Sequence, residues 1–251
     1  MAVKDKVVIV TGAARGHGRS IAVAFASEGA ALALVDVASL DQTLADCCAY
    51  EGDVIAIPTD LRQPDQVQAM VDQVYQRYGR IDVLVNDAGI VTHFRYGEPR
   101  WPRIADMDPA FFDNIIRTNL IGTFLTTKYV LRHMEAQGGG HIINFGQGNI
   151  GRPVQPVEPG AAVYHVSKLA IRDFTHEVAI EELDKNICII SFGPGGPAGE
   201  TPEEVRNSAA RIDMELGMRV VLAAEAPMAL SGRMVSVRDG KLGLAADEIP
   251  A

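Results

Sequence analysis

The chain has 251 residues, 47% of them hydrophobic, which suffices to bury a sizeable core and argues against a disordered chain. Its 23 Lys and Arg stand against 32 Asp and Glu, and the resulting formal charge of −9 argues against electrostatically driven binding to nucleic acid or an anionic membrane. No apolar run approaches the about 18 residues that cross a bilayer.

Only six residues, Lys4 and Lys6 among them, stand before the first strand-like run at Val7, which leaves no room for a signal peptide's apolar segment, so a cytosolic enzyme is expected. Taken in chain order, short apolar, β-rich runs at residues 7–10, 32–37, 54–58, 81–86, 141–145, 187–192 and 234–237 predict seven strands. Helix-periodic segments at 18–28, 39–50, 64–78, 109–135, 161–184 and 202–224 lie between them, each long enough for a right-handed crossover. The first six strand runs are continuously apolar, as expected for strands covered on both faces of a parallel sheet. This alternation predicts an α/β fold, a doubly wound (Rossmann), mainly parallel, seven-stranded sheet with helices on both faces. No linker, repeat or low-complexity tract interrupts it, so residues 1–251 are read as a single domain. Two irregular stretches, 90–108 and 152–160, are placed on the substrate side. Cys47, Cys48 and Cys188 build neither a disulfide framework nor a zinc pattern and are expected as buried thiols, with no metal.

Directly after the first strand comes Thr11-Gly12-Ala13-Ala14-Arg15-Gly16-His17-Gly18, opening a helix. Glycines permit the tight turn and the close approach of a diphosphate, which the N–H groups of a helix N-terminus attract. Asp36 ends the second strand 18 residues past Gly18, near the spacing at which an acid bonds the adenosine ribose hydroxyls. A carboxylate there would repel a 2′-phosphate, so NAD is favoured over NADP, although Arg15 within the turn offers a phosphate contact. Further on, Tyr164 and Lys168 stand four residues apart at the start of a helix, on one face. An ammonium beside a phenol favours phenolate and suits the tyrosine to proton exchange.

With these motifs in order, joined by Asn86-Asp87-Ala88-Gly89 after the fourth strand, Asn119 in Thr118-Asn119-Leu120, and Pro194-Gly195 after the sixth, the chain resembles the short-chain dehydrogenase/reductase family over nearly its whole length. The resemblance implies that Gly12, Arg15, Gly16, His17 and Gly18 cradle the cofactor. Asp60 would contact the adenine, with Leu61 also among the cofactor-binding residues. Asn86, Ala88 and Gly89 would line the cofactor, and Pro194, Gly195 and Thr201 would flank the nicotinamide. Tyr164 would exchange the proton, Lys168 would bond the nicotinamide ribose and lower the tyrosine's pKa, and Asn119 would hold a water in the proton relay. Hydride would pass directly between cofactor and substrate, and subunits would pair through their long central helices as a homotetramer or homodimer.

One departure stands out. The family's Asn-x-Ser-Ser turn after the fifth strand reads Asn144-Phe145-Gly146-Gln147 here, and residues 141–164 contain no Ser or Thr. Gln147 occupies the place of the serine that bonds the substrate oxygen, and its amide NH₂ is able to donate to an alkoxide or carbonyl. The 90–108 stretch is longer than expected and the segment after Pro194 shorter, which points to a rebuilt pocket. His93, Phe94, Tyr96 and Trp101, with Arg95, Arg100 and Arg103, would give it an aromatic wall and a cationic rim for an apolar or aromatic small molecule, or else form a surface or subunit-contact loop. Glu158 lies near the mouth. The leading expectation is an NAD(H)-dependent oxidoreductase acting on a secondary alcohol or ketone. A cofactor-binding homologue with lapsed chemistry, serving as a sensor or partner subunit, and a lyase or isomerase reusing the tyrosine as base both remain open.

Overall fold

Runs of Val, Ile and Leu form strands where the sequence places them: β1 (Val7–Thr11), β2 (Ala31–Asp36), β3 (Val54–Pro58), β4 (Val83–Asn86), β5 (Gly140–Phe145), β6 (Ile187–Phe192) and β7 (Met234–Arg238). The computed structural model describes residues 3–90, 102–147, 162–194 and 211–245. An eighth strand, β8 (Lys241–Leu244), corrects the expected count of seven. Asp239 and Gly240, at φ 48° and 69°, turn the chain back so that β8 pairs antiparallel with β7. Four residues with a glycine among them carry too little periodicity to announce a strand, and pairing with β7 supplies what local preference lacks. The strand order is β3-β2-β1-β4-β5-β6-β7-β8, and the first seven run parallel.

The helices are α1 (Gly16–Ser27), α2 (Asp41–Cys47), α3 (Pro64–Tyr78), α4 (Pro109–Ile116), α5 (Gly122–Gln137), α6 (Ala162–Glu181) and α7 (Met214–Ala223). The single helix expected over 109–135 is interrupted by a π-helical turn, Arg117–Ile121, that joins α4 to α5. Of the helix expected over 202–224, residues 202–210 lie outside those described; Asp213 caps the start of α7, its Oδ1 accepting from the Leu216 N–H at 2.9 Å.

Because successive strand residues point to opposite faces, the sheet feeds two cores. Val8 and Val10 of β1 pack with Phe25 of α1 and Val220 of α7 on one face, while Val7 and Ile9 pack with Val71 of α3 and Met134 of α5 on the other. Cys47 and Cys188 are buried, and burial pushes their thiols up to about 12 and about 11. Cys48 is exposed at the α2 C-terminus, against the expectation that all three thiols are buried. Among the described residues, no helix is long and apolar enough to cross a membrane.

The C-terminal end of the apolar sheet carries a polar row. Register aligns Thr11 of β1 with Asn86 of β4, Asn86 with Asn144 of β5, and Asn144 with Ser191 of β6, and all four are buried. Asn86 Nδ2 donates to Asn144 Oδ1 at 2.9 Å, Thr126 Oγ1 of α5 donates to Asn86 Oδ1 at 2.7 Å, and Asn144 Nδ2 donates to Thr175 Oγ1 of α6 at 3.0 Å. Two helices are thereby tied to the centre of the sheet where the chain must turn out into loops. Asn144→Ala should strip both of its bonds from this row and lower the unfolding free energy by about 1–3 kcal/mol. An unchanged urea midpoint for this variant would show that the row contributes nothing to stability.

Candidate active site

Chain order reverses between β1 and β4, which opens a crevice beyond their C-terminal ends, the usual ligand position in a doubly wound sheet. On the β1 side lies the glycine turn. A Cβ on Gly12, which sits at φ +73°, would lie 2.8 Å from the Ala88 Cα, and one on Gly18 would collide with the Gly12 carbonyl. Backbone therefore packs on backbone, and only glycine fits. Arg15 at the N-cap of α1 is extended and its side chain makes no cap hydrogen bond, and no acidic residue stands in the first turn, so this positive helix end suits an anion. Gly16 and Gly18 are buried, whereas Arg15 and His17 face outward. These features fit a dinucleotide diphosphate.

Asp36 ends β2 beside this turn. Its Oδ2 accepts from the Ala14 N–H at 3.1 Å and its Oδ1 from the Ala38 N–H at 3.0 Å, so the carboxylate is fixed at the rim of the cradle. Asp60 follows β3 and is gripped by Arg62, with Arg62 Nη2 at 2.8 Å from Oδ2 and Nε at 2.9 Å from Oδ1. That guanidinium holds the Asp60 carboxyl below the usual range, more than offsetting burial. Arg62 also donates to Asn114 Oδ1 of α4 at 2.8 Å. Leu61 is buried, its side chain against Gly122.

Beyond β4, the Ala88 N–H donates to Thr11 Oγ1 at 3.2 Å, which joins the two sides of the crevice. The Asn86 side chain turns inward to the polar row, so what it offers the crevice is backbone. Gly89 sits between two side chains: a Cβ there would lie 3.3 Å from Asn119 Oδ1 and 3.7 Å from Lys168 Nζ. Asn119 lies in the π-helical turn, fully buried, and its amide is held at both ends. Oδ1 accepts from the Ile90 N–H at 2.8 Å, and Nδ2 donates to Ser167 Oγ at 3.0 Å. Such single π-turns often mark sites where a helix must present a side chain out of regular register.

Tyr164, Ser167 and Lys168 rise from the first turns of α6. Lys168 Nζ donates to the Phe145 carbonyl at 2.8 Å and lies 5.9 Å from the Tyr164 ring centroid, so the sequence pair converges at the end of β5. Burial pushes the Lys168 pKa down to about 8, and the carboxylate of Asp87 opposes that shift. Asp87 in turn lies 3.9 Å from His17 Nδ1 of the glycine turn. Gln147 is half-buried just past β5, and its Oε1 is 2.8 Å from Nδ1 of His165. A Cβ at the preceding Gly146 would collide with the Ser191 hydroxyl, which would have to rotate away. Pro194 carries a carbonyl 3.4 Å from Arg219 Nη1 of α7. Gly195, Thr201, His93, Phe94, Tyr96, Trp101 and Glu158 lie outside the described residues.

The model of the family described as short chain dehydrogenase matches residues 6–210. The chain belongs to the short-chain dehydrogenase/reductase family. It is 33% identical over 217 residues to a 3-oxoacyl-acyl-carrier-protein reductase of Thermotoga maritima, covering 83% of this chain and 82% of that protein. It is 29% identical to the cis-4-hydroxycyclohexanecarboxylate dehydrogenase of Sinomonas cyclohexanicum, over 97% and 90% of the two chains. A metagenomic short-chain oxidoreductase solved in complex with NADP superposes with a TM-score of 0.73 at 28% identity, over 95% of this chain and 99% of that one. As a short-chain dehydrogenase/reductase, the protein is an oxidoreductase that uses a nicotinamide cofactor on small-molecule substrates.

Three side chains of the site went unnoticed in the sequence although they stand inside its motifs. Asp87 is the second residue of Asn86-Asp87-Ala88-Gly89, and His165 and Ser167 lie between Tyr164 and Lys168. Ser167, at i+3 from Tyr164, shares its helical face, and that spacing was the available signal. For the other two there was none, since their partners come from distant chain segments. Asp87→Asn should move the Lys168 titration below the wild-type value of about 8, as followed by NMR of its ε-methylene. Relative to an unfolded-state value of 10.5, a lysine pKa lowered to about 8 makes charged Lys168 costly. That cost is complete below pH 8 and fades towards the unfolded value, so stability should rise with pH across this window relative to Lys168→Met.

Proposed function

We propose that the protein is an NAD(H)-dependent dehydrogenase or reductase that interconverts a secondary alcohol and a ketone, with Tyr164 as the acid/base. The observation that carries this reading is the convergence of Tyr164, Lys168, Gly89 and Asn119 beside an uncapped helix N-terminus at the β1/β4 crevice.

In this reading Gly12, Arg15, Gly16, His17 and Gly18 hold the diphosphate, Asp36 takes the adenosine ribose, and Asp60 and Leu61 border the adenine. Asn86, Ala88, Gly89, Pro194, Gly195 and Thr201 line the rest. The dinucleotide, when bound, supplies or accepts the hydride. Tyr164 takes the hydroxyl proton in oxidation and returns it in reduction. Lys168, anchored on the Phe145 carbonyl, keeps a positive charge near the phenol and favours the phenolate, with Asp87 helping to keep that charge in a buried place. Asn119, pinned between Ile90 and Ser167, fixes the wall along which a water-borne proton relay from Lys168 would run. Gln147 donates its amide to the substrate oxygen in place of the usual serine. His93, Phe94, Tyr96, Trp101 and Glu158 would complete the substrate side and favour an apolar or aromatic substrate. Exposed Phe124, Val166 and Ile180 on α5 and α6 support pairing of subunits through these helices, as a homodimer or homotetramer.

The choice of NAD rests on Asp36, since a carboxylate already fixed at the cradle rim repels a 2′-phosphate. Asp36→Ser should narrow the preference for NADH over NADPH in binding measurements; tighter binding of NADPH than NADH by the wild type would overturn the assignment.

A panel of secondary alcohols and ketones, read at the nicotinamide absorbance, should reveal turnover. Tyr164→Phe should then lose about 10²-fold or more while retaining cofactor affinity. Gln147→Ala should lower kcat about 10²-fold with little change in NADH affinity. Substrate conversion without net redox change, or full activity in Tyr164→Phe, would defeat the reading.

A further inference from the structure

We propose that His165 is a positioning residue that orients the Gln147 amide so that its NH₂, and not its carbonyl, faces the substrate oxygen. This inference rests on the proposed donor role of Gln147.

A serine hydroxyl rotates and offers its proton wherever an oxygen lies. A glutamine does not have this freedom. Its terminal amide carries a donor and an acceptor of nearly equal size, and a half-turn about the last bond exchanges them. Turned the wrong way, Oε1 would face an alkoxide or carbonyl oxygen, and the transition state would meet repulsion where it needs a hydrogen bond. A glutamine that replaces the serine therefore needs a second group that distinguishes the two ends of its amide.

His165 Nδ1 lies 2.8 Å from Gln147 Oε1. With the proton on Nδ1, the imidazole donates to Oε1 and leaves both N–H bonds of the Gln147 amide for other partners. The flipped amide would set NH₂ against Nδ1–H, donor against donor, so the Nδ1–H form selects one orientation. His165 directly follows Tyr164 in α6, and the two rings stand edge-on with centroids 5.7 Å apart. The same helical turn thus carries the proton-exchanging phenol and the group that orients the oxygen donor. On the other side, Gly146 packs its backbone against Ser191 Oγ and Arg172 Cβ, which fixes where the Gln147 side chain begins.

The test combines kinetics with a spectroscopic readout. His165→Ala should lower kcat at least about 10-fold, leave NADH affinity unchanged and leave Tm within a few degrees. His165→Asn, whose amide NH₂ reaches the position of Nδ1, should recover most of that loss. In a Gln147→Ser background, where the hydroxyl rotates freely, His165→Ala should change kcat less than about twofold. Independently of turnover, long-range ¹H–¹⁵N correlation should find the His165 proton on Nδ1. A fall of kcat in Gln147→Ala without one in His165→Ala would overturn the orienting role alone, as would equal losses from His165→Ala in the wild-type and Gln147→Ser backgrounds, or a proton held only on Nε2. Unchanged kcat in Gln147→Ala would overturn the donor role of Gln147 and this inference together.

Discussion

The site depends on how an apolar parallel sheet ends. Four strands arrive side by side at the crevice and must release their chains into loops, and at that level the sequence places Thr11, Asn86, Asn144 and Ser191 in one transverse row. Asparagine suits the position because each amide donates and accepts at once, so a neighbouring strand and a covering helix are both satisfied by one side chain. Thr126 and Thr175 complete the row from α5 and α6. In a low-dielectric interior such a network is strong when complete and costly when broken, so it holds the helices in one register over the sheet. Tyr164 and Lys168 ride on one of those helices, Asn119 closely precedes the other, and Gly89 and Gln147 leave the strands just beyond.

Onto this frame the protein builds a balance of charge. Lys168 lies almost out of contact with solvent, where an ammonium is expensive, and burial duly draws its pKa towards neutrality. The Phe145 carbonyl gives the ammonium a hydrogen bond, and the carboxylate of Asp87 gives it a compensating charge. The same carboxylate stands near His17, so the charge that serves the lysine also borders the turn where a diphosphate would lie. One acidic side chain couples the two halves of the crevice.

In the proposed function, where Gln147 takes the serine's role after β5, the glutamine has a cost in geometry as well as in size. In that reading a planar group with two unlike ends stands where a rotor would, next to a glycine whose missing Cβ position is taken by the Ser191 hydroxyl. The neighbour that can give it direction comes from the helix facing it, 18 positions further along the chain.

What the sequence by itself determined are the features set by local rules. Strand and helix follow from periodicity, the cradle from glycines that no other residue could replace for steric reasons, and the facing of Tyr164 and Lys168 from one turn of helix. Family membership was legible for the same reason, since its motifs are short and ordered. Tertiary structure decided whatever needed a partner from elsewhere. β8 exists because β7 offers an edge, Cys48 is exposed while its neighbour Cys47 is buried because the end of α2 turns only one of them inward, and the helix over 109–135 is broken by a π-turn that buries Asn119 between Ile90 and Ser167. Asp87 beside Lys168, and His165 beside Gln147, belong to the same group. Such pairings depend on where the sheet brings distant segments together, and no local pattern of residues encodes that distance.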